Sequence, residues 1–357
     1  MFSEEVRADS RQPGNLRVTV LREPGRKVSV NKRERVYAAL HGGSVDRLPI
    51  SMWRHFHKQD QVPEELAQAT LEFYRRYDLD LIKVTPSGLY AIEDWGASIR
   101  YANDDETPPR LKRPVIGDPE GWRELAALSV AQGALGRELQ ALAAIHDELG
   151  QSDAPVLMTL FSPLTLAHKL AGDVVQQHLR DHPDDLHFGL ATVAETTARF
   201  GAAALAAGAD GIFFATQLAR PSLLSAEEYR DFGERYDLIV LEYLTAQTDL
   251  VVLHLHGEDV FFELVNNYPV TAISWHDRDT SPSLREAMTQ TKKGLMAGLD
   301  PHLLATGSPE EIADQARDAQ KQTGGRGLLL APACVIPPEA SDENLQAVVQ
   351  TARTTPI

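Results

Sequence analysis

The sequence has a single cysteine, Cys334, which excludes a disulfide framework and with it the small oxidised scaffolds of secreted proteins. Basic residues are few: 35 Lys and Arg stand against 51 Asp and Glu, a net charge of −16. A surface this acidic repels phosphate backbones and anionic lipid heads, so neither nucleic acid nor a membrane surface is expected as a partner. Long hydrophobic runs are missing too. No stretch approaches the ~20 apolar residues of a membrane helix, and the first residues lack the apolar core of a secretion signal, so a cytoplasmic location is expected. The phosphate-cradling loops are also absent: no Gly-x-Gly-x-x-Gly follows a strand-like run, and no Gly-Lys-Ser/Thr occurs.

What is present fits one large α/β domain. With 43% hydrophobic residues the chain can bury a sizeable core, and 357 residues suit an α/β barrel, a fold that runs past about 250 residues as one unit. Residues 1–27 mix Arg and Glu with Pro13, Gly14, Pro24 and Gly25 and show no apolar period, which reads as a loose N-terminal arm before a domain over 28–357. Eight short apolar runs of strand length follow: Leu48–Trp53, Asp80–Thr85, Pro155–Phe161, Asp210–Ala215, Asp249–His254, Thr271–Trp275, Gly294–Gly298 and Gly327–Ala331. Helical periods lie between them. The clearest places Leu186, Leu190, Val193, Thr197, Phe200 and Ala204 at steps of four and three, and Gly208 stops that helix. Eight βα units in sequence favour a single (β/α)8 TIM barrel over a doubly wound sheet.

Barrel active sites form where the strands end, so the polar residues following each run are the candidates. His254 and His256 alternate around Leu255, so both imidazoles can leave one side of a strand and meet. Cys334 follows the eighth run. One thiolate with two imidazoles suits zinc and leaves a fourth position for substrate or for Asp277, which ends the neighbouring run. The plainer alternative is that both histidines are hydrogen-bonded core residues and Cys334 a small buried hydrophobe. Arg54, His55 and His57 form either an anion clamp or a solvated loop. Lys83, Tyr90 and Gln217 sit where a substrate would be held, although a strand-end lysine reaching solvent and an aromatic packing a long loop are the ordinary readings.

Several segments resemble the uroporphyrinogen decarboxylase and methylcobamide:coenzyme M methyltransferase superfamily over about Asn31 to Thr351. They are Asn31-Lys-Arg-Glu-Arg-Val with Leu40, Asp46-Arg-Leu-Pro49, Phe161-Ser-Pro-Leu-Thr-Leu166, Leu224-Ser-Ala-Glu-Glu-Tyr229, Gly298-Leu-Asp300, and Ala331-Pro-Ala-Cys-Val-Ile-Pro-Pro-Glu339 with Glu343-Asn344. The resemblance implies a distorted (β/α)8 barrel. It also implies which branch is nearer. Where the decarboxylases carry Arg-Gln-Ala-Gly-Arg, this chain has Ser51-Met-Trp-Arg-His-Phe-His57; their pyrrole-binding aspartate falls near Ser87, their tyrosine on Lys169 and their late histidine on Cys334. The methyltransferase branch, with cobalamin-independent methionine synthase, holds zinc through His-x-Cys and a later cysteine. Here His254 and Cys334 match, and His256 takes the place of the first cysteine.

The resemblance therefore implies a zinc-dependent methyl transfer to a thiol from a methylated corrinoid on a separate protein, with a small anionic substrate held by Arg54, His55 and His57. Two alternatives stand beside it. One is a metal-independent decarboxylase of a carboxylated, porphyrinogen-like substrate. The other is a catalytically idle binding subunit of a corrinoid system.

Overall fold

The computed structural model describes residues 30–150 and 152–355, so the arm expected over residues 1–27 lies outside the described residues. Its frame is one sheet of seven parallel strands: β1 (Ile82–Val84), β2 (Val156–Phe161), β3 (Gly211–Thr216), β4 (Val251–Leu255), β5 (Ala272–Trp275), β6 (Gly294–Leu299) and β7 (Leu328–Pro332). Their order in space is their order in the chain. A doubly wound sheet reverses that order near its middle, whereas a barrel winds steadily in one direction. The fold is a distorted (β/α)8 TIM barrel.

The distortion has a local cause, and it corrects the expectation of eight full strands. The first run, Leu48–Trp53, is reduced to one parallel bridge between Ile50 and Leu330. Ser51 N–H donates to the Leu330 carbonyl (3.0 Å), Leu330 N–H to that of Pro49 (2.9 Å), and Asp80 N–H to that of Ile50 (2.9 Å). This short segment thus spans the gap between β7 and β1 and closes the ring, but Pro49 has no N–H with which to extend the ladder. Side chains complete the seam. The fully buried Asp80 carboxylate accepts from Arg35 (2.8 Å), Arg47 (2.7 Å) and the Ile50 N–H (3.0 Å), and Arg35 also holds Asp46 (2.7 Å). Both carboxylate oxygens of Asp80 are satisfied, the condition under which a buried charge is tolerated. The Asn31–Val36 and Asp46–Pro49 segments are therefore the clasp of the barrel.

The amino-terminal end of the barrel is plugged. Helix Lys32–Leu40 starts at a reciprocal capping box between Asn31 and Glu34, and its Val36 and Leu40 enter the inner core with Leu81, Leu250 and Met296. Gly294 allows this approach, since a Cβ there would lie 2.5 Å from the Leu40 carbonyl oxygen. The outer layer includes helix Pro183–Ala206, whose buried face is Leu186, Leu190, Val193, Thr197, Phe200 and Ala204, as its spacing predicts. Each large aliphatic buried there stabilises the layer by about 1.5–3 kcal/mol.

Strand alternation divides the core in two. Leu157, Phe213, Val252 and Leu329 point into the barrel, while Met158, Phe214, Leu253 and Leu330 pack outward under the helices. Among the described residues no helix is long and apolar enough to cross a membrane.

Candidate metal centre and substrate cavity

The alternation that turns Val252 inward also turns His254 inward, and His256 follows one step beyond the strand. His254 is buried between Ala215 on β3 and Ser274 on β5, its ring stacked on Phe213 at 5.2 Å. Its Nδ1 pairs with Ser274 Oγ at 3.1 Å, which leaves Nε2 for the cavity. His256 is fixed by its backbone N–H to the Thr216 carbonyl (2.9 Å), and its Nδ1 lies 3.8 Å from Cys334 Sγ. A third imidazole joins them. His276, directly after β5, has ring centroids 5.9 Å from His254 and 5.0 Å from His256. Its Nδ1 faces Asp279 (3.6 Å), and its Nε2 is buried without a hydrogen-bond partner.

These four residues form the one such group among the described residues: each offers a ligand atom, and all four atoms lie within 4.8 Å of one another. Zinc bonds of about 2.0–2.3 Å set tetrahedral donors roughly 3.3–3.8 Å apart, so small side-chain adjustments suffice. The donor chemistry fits as well. His276 presents an orphaned nitrogen on one side and a carboxylate on the other, the arrangement that orients a ligating imidazole, and Ser274 performs that service for His254. Burial, then mutual repulsion among the rings, pushes His254 well below its ordinary value and His256 down to about 4; burial lowers His276. The imidazoles are thus neutral and their lone pairs available. Burial pushes the Cys334 thiol up, so a cation is required to make it a thiolate.

His254, His256 and Cys334 line a cavity of about 220 Å³. Trp53, Phe161 and Phe213 form apolar walls, and Lys83, Lys169, His55 and Gln217 bring polar groups to it. Lys83 is buried and Lys169 half-buried, and burial pushes their amines down to about 7 and about 8.

The geometry places four of the expected residues outside the donor group and the cavity. Asp277 stands outside the donor group: its carboxylate accepts from the Gly298 N–H (2.9 Å) and lies 3.3 Å from Arg278, so the neighbouring His276 occupies the place expected for it. Arg54 faces away from the cavity. Along the extended segment Trp53 and His55 point inward, and Arg54 between them lies over Phe56 in an outer groove with Arg76 and Asp342. Tyr90 is a core residue whose hydroxyl donates to the Thr159 carbonyl (2.9 Å). His57 stacks behind His55 at 4.9 Å and faces Asp60 at 3.6 Å rather than lining the cavity.

Two residues of the site lie outside those the sequence singles out: His276, one of the polar residues that follow the strand-like runs, and Lys169. Lys169 follows Thr165 by one helical turn, and Thr165 Oγ1 accepts the Gln217 N–H (2.9 Å), so this face of helix Pro163–Ala171 addresses the cavity; His168 beside it pairs outward with Asp173 (3.1 Å).

A (β/α)8 barrel with a histidine and cysteine donor group at the carboxyl ends of its strands defines the class. The chain belongs to the uroporphyrinogen decarboxylase (URO-D) family, whose model matches residues 31–355. It is similar to the methylcobamide:CoM methyltransferase MtbA of Methanosarcina acetivorans, at 23% identity over 340 residues that cover 90% of this chain and 97% of the relative. It is also similar to the uroporphyrinogen decarboxylase of Alkalilimnicola ehrlichii, at 26% identity over 370 residues that cover 90% and 95%. A solved methyltransferase structure from Methanosarcina mazei shares the fold with a TM-score of 0.81 at 22% identity, covering 91% of this chain and 98% of that one.

Proposed function

We propose that this chain is a zinc-dependent methyltransferase that moves a methyl group from a methylated corrinoid, carried on a separate protein, to the sulfur of a small anionic thiol. The observation that carries this reading is the convergence of His254, His256, His276 and Cys334, with ligand atoms within 4.8 Å of one another beside an apolar-walled cavity. The relative named for methylcobamide and CoM supports the donor and the acceptor.

Zinc held by these side chains, with one of the four giving way to the substrate, would supply a Lewis acid that lowers the pKa of the substrate thiol. The protein's own residues set the rest. Trp53, Phe161 and Phe213 exclude water from the reacting sulfur, and the closed lower end leaves the carboxyl face for the donor's approach. The new sulfur–carbon bond forms as the donor's carbon–cobalt bond breaks with its electron pair left on cobalt, and the thiol proton departs to solvent. A cavity of about 220 Å³ lies below the roughly 300–1,000 Å³ of drug-sized ligand sites, so the acceptor is a few-carbon thiol.

The test is metal analysis of the purified chain together with methylation of short thiols by free methylcobalamin. About one zinc per chain and zinc-dependent thiol methylation are expected. Zinc binding with no turnover would favour an idle binding subunit, and absence of zinc after supplementation a metal-independent enzyme.

A further inference from the structure

We propose that Lys83 and Lys169 form a two-amine grip for the oxyanion of the small substrate, a carboxylate or sulfonate, and so decide which thiols the cavity accepts. This rests on the cavity being the acceptor site of the methyl transfer described above. The protein carries a net charge of −16, yet no Asp or Glu lines the cavity among the described residues, while two lysines do. Neither amine has an ion pair there. Lys83 Nζ lies 5.1 Å from the Trp53 ring and 4.5 Å from that of Phe213, and Lys169 Nζ lies 4.5 Å from that of Phe161. Ring faces compensate a buried cation only in part, by about 0.5–2 kcal/mol.

The hydrogen-bond inventory leads to the same place. Thr159 Oγ1 donates to the Val84 carbonyl (2.6 Å) and Thr85 Oγ1 to that of Lys83 (3.3 Å), so the hydroxyls in the wall are spent as donors. Lys83 uses one hydrogen on Thr85 Oγ1 (3.3 Å) and keeps two. Among the lining residues the charged donors with hydrogens to spare are therefore the two lysine amines, beside the neutral Gln217 amide and Trp53 N–H, and what the amines lack is an acceptor that brings negative charge. Arg54 cannot serve, since it lies in the outer groove, and burial holds His55 neutral at about 3. Phe213 meets both the Lys83 amine (4.5 Å) and the His254 ring (5.2 Å), an apolar wall that suits the short alkyl chain linking an oxyanion to a sulfur. A neutral thiol of the same size leaves both ammonium groups unpaired and is selected against.

Ligand-observed NMR titration of the full chain, metal-stripped and zinc-loaded, separates the two halves of the site. The probes are ethanesulfonate, which has the oxyanion and no thiol, mercaptoethanol, which has the thiol and no oxyanion, and mercaptoethanesulfonate, which has both. Ethanesulfonate is expected to bind both forms of the protein, and Lys83→Met and Lys169→Met each to weaken ethanesulfonate and mercaptoethanesulfonate by about ten- to a hundredfold. Mercaptoethanol binding should hold or tighten, since the amine it leaves unpaired is gone, zinc content should stay as in wild type, and neither variant should melt lower, because each removes an amine without an ion pair. Ethanesulfonate that ignores wild type, or binds the Met variants as tightly as wild type, overturns the grip. Anion binding that depends on both lysines in a protein unable to hold zinc supports the grip and counts against the methyltransferase reading.

Discussion

Cys334 Sγ lies 3.8 Å from Nδ1 of His256 although 78 residues separate them, because β4 and β7 end on the same rim of the barrel. A thiol and an imidazole at this distance share no good hydrogen bond, and burial disfavours the thiolate, so the pair is poised for a cation rather than for each other. Cys334→Ser should therefore weaken zinc binding by about a hundredfold or more, measured by chelator competition, while thermal stability without metal changes little. Equal affinity in the variant would remove Cys334 from the donor group.

The rest of the donor group gives a sharper contrast. Asp279 faces Nδ1 of His276 at 3.6 Å, the position from which a carboxylate orients a ligating imidazole. Asp279→Asn is expected to cost about ten- to a hundredfold in zinc affinity. Asp277→Asn should leave zinc affinity unchanged, since that carboxylate is engaged by the Gly298 N–H and Arg278. The opposite order of effects would restore Asp277 as the fourth ligand.

The barrel and the His254, His256 and Cys334 convergence were legible because both follow from a period of two along regular strands. The period carries no information where it has no strand to act on. His276 and Asp277 lie one and two residues past β5, where the chain turns, and its direction decides which side chain faces the rim. Arg54 was drawn to the site by its charge, although the alternation that sends Trp53 and His55 inward sends it out. Lys169 lay on a helix, where the phase is set by the Thr165 contact to Gln217, a tertiary bond that spacing alone does not contain.

The seam makes a prediction about stability. Asp80 is fully buried and holds two guanidinium groups, so Asp80→Ala strands Arg47 against a low-dielectric wall and leaves Arg35 with Asp46 as its one carboxylate partner. Removing one partner of a buried charge network costs about 3–5 kcal/mol, and urea denaturation should show a midpoint lowered to match. A loss below about 1 kcal/mol would mean that water satisfies the arginines and that the clasp is not what closes the barrel.

The lysines give the molecule a pH signature. Burial brings Lys83 down to about 7 from 10.5 and Lys169 to about 8, so between those values and 10.5 the unfolded chain holds more protons than the fold, and this contribution to stability rises with pH. Below about pH 7 both states are protonated and the cost of burying the ammonium is felt in full; near pH 10.5 it is gone. Lys83→Met should accordingly raise stability by roughly 2–4 kcal/mol near pH 6, with the gain shrinking as pH rises through this window. Thermal melts across that range check it, and a gain that does not fall with pH would show that the amine is already compensated in the fold.

The last prediction sets a tetrapyrrole against the cavity. Uroporphyrinogen carries eight carboxylates and four pyrrole N–H groups, and its decarboxylation passes through protonated pyrroles that need a carboxylate acceptor. Here the position of that aspartate falls near Ser87, which is buried and keeps its hydroxyl near the Leu89 N–H (3.4 Å), and no acidic residue lines the cavity among the described residues. Two lysines cannot pair eight carboxylates, and about 220 Å³ is too small for the ring. An anaerobic assay should show no conversion of uroporphyrinogen to coproporphyrinogen above the rate without enzyme, with or without zinc. Robust decarboxylation would require the long segment between β1 and β2 to open and carry both the acceptor and further cations into the site, and would displace the thiol reading altogether.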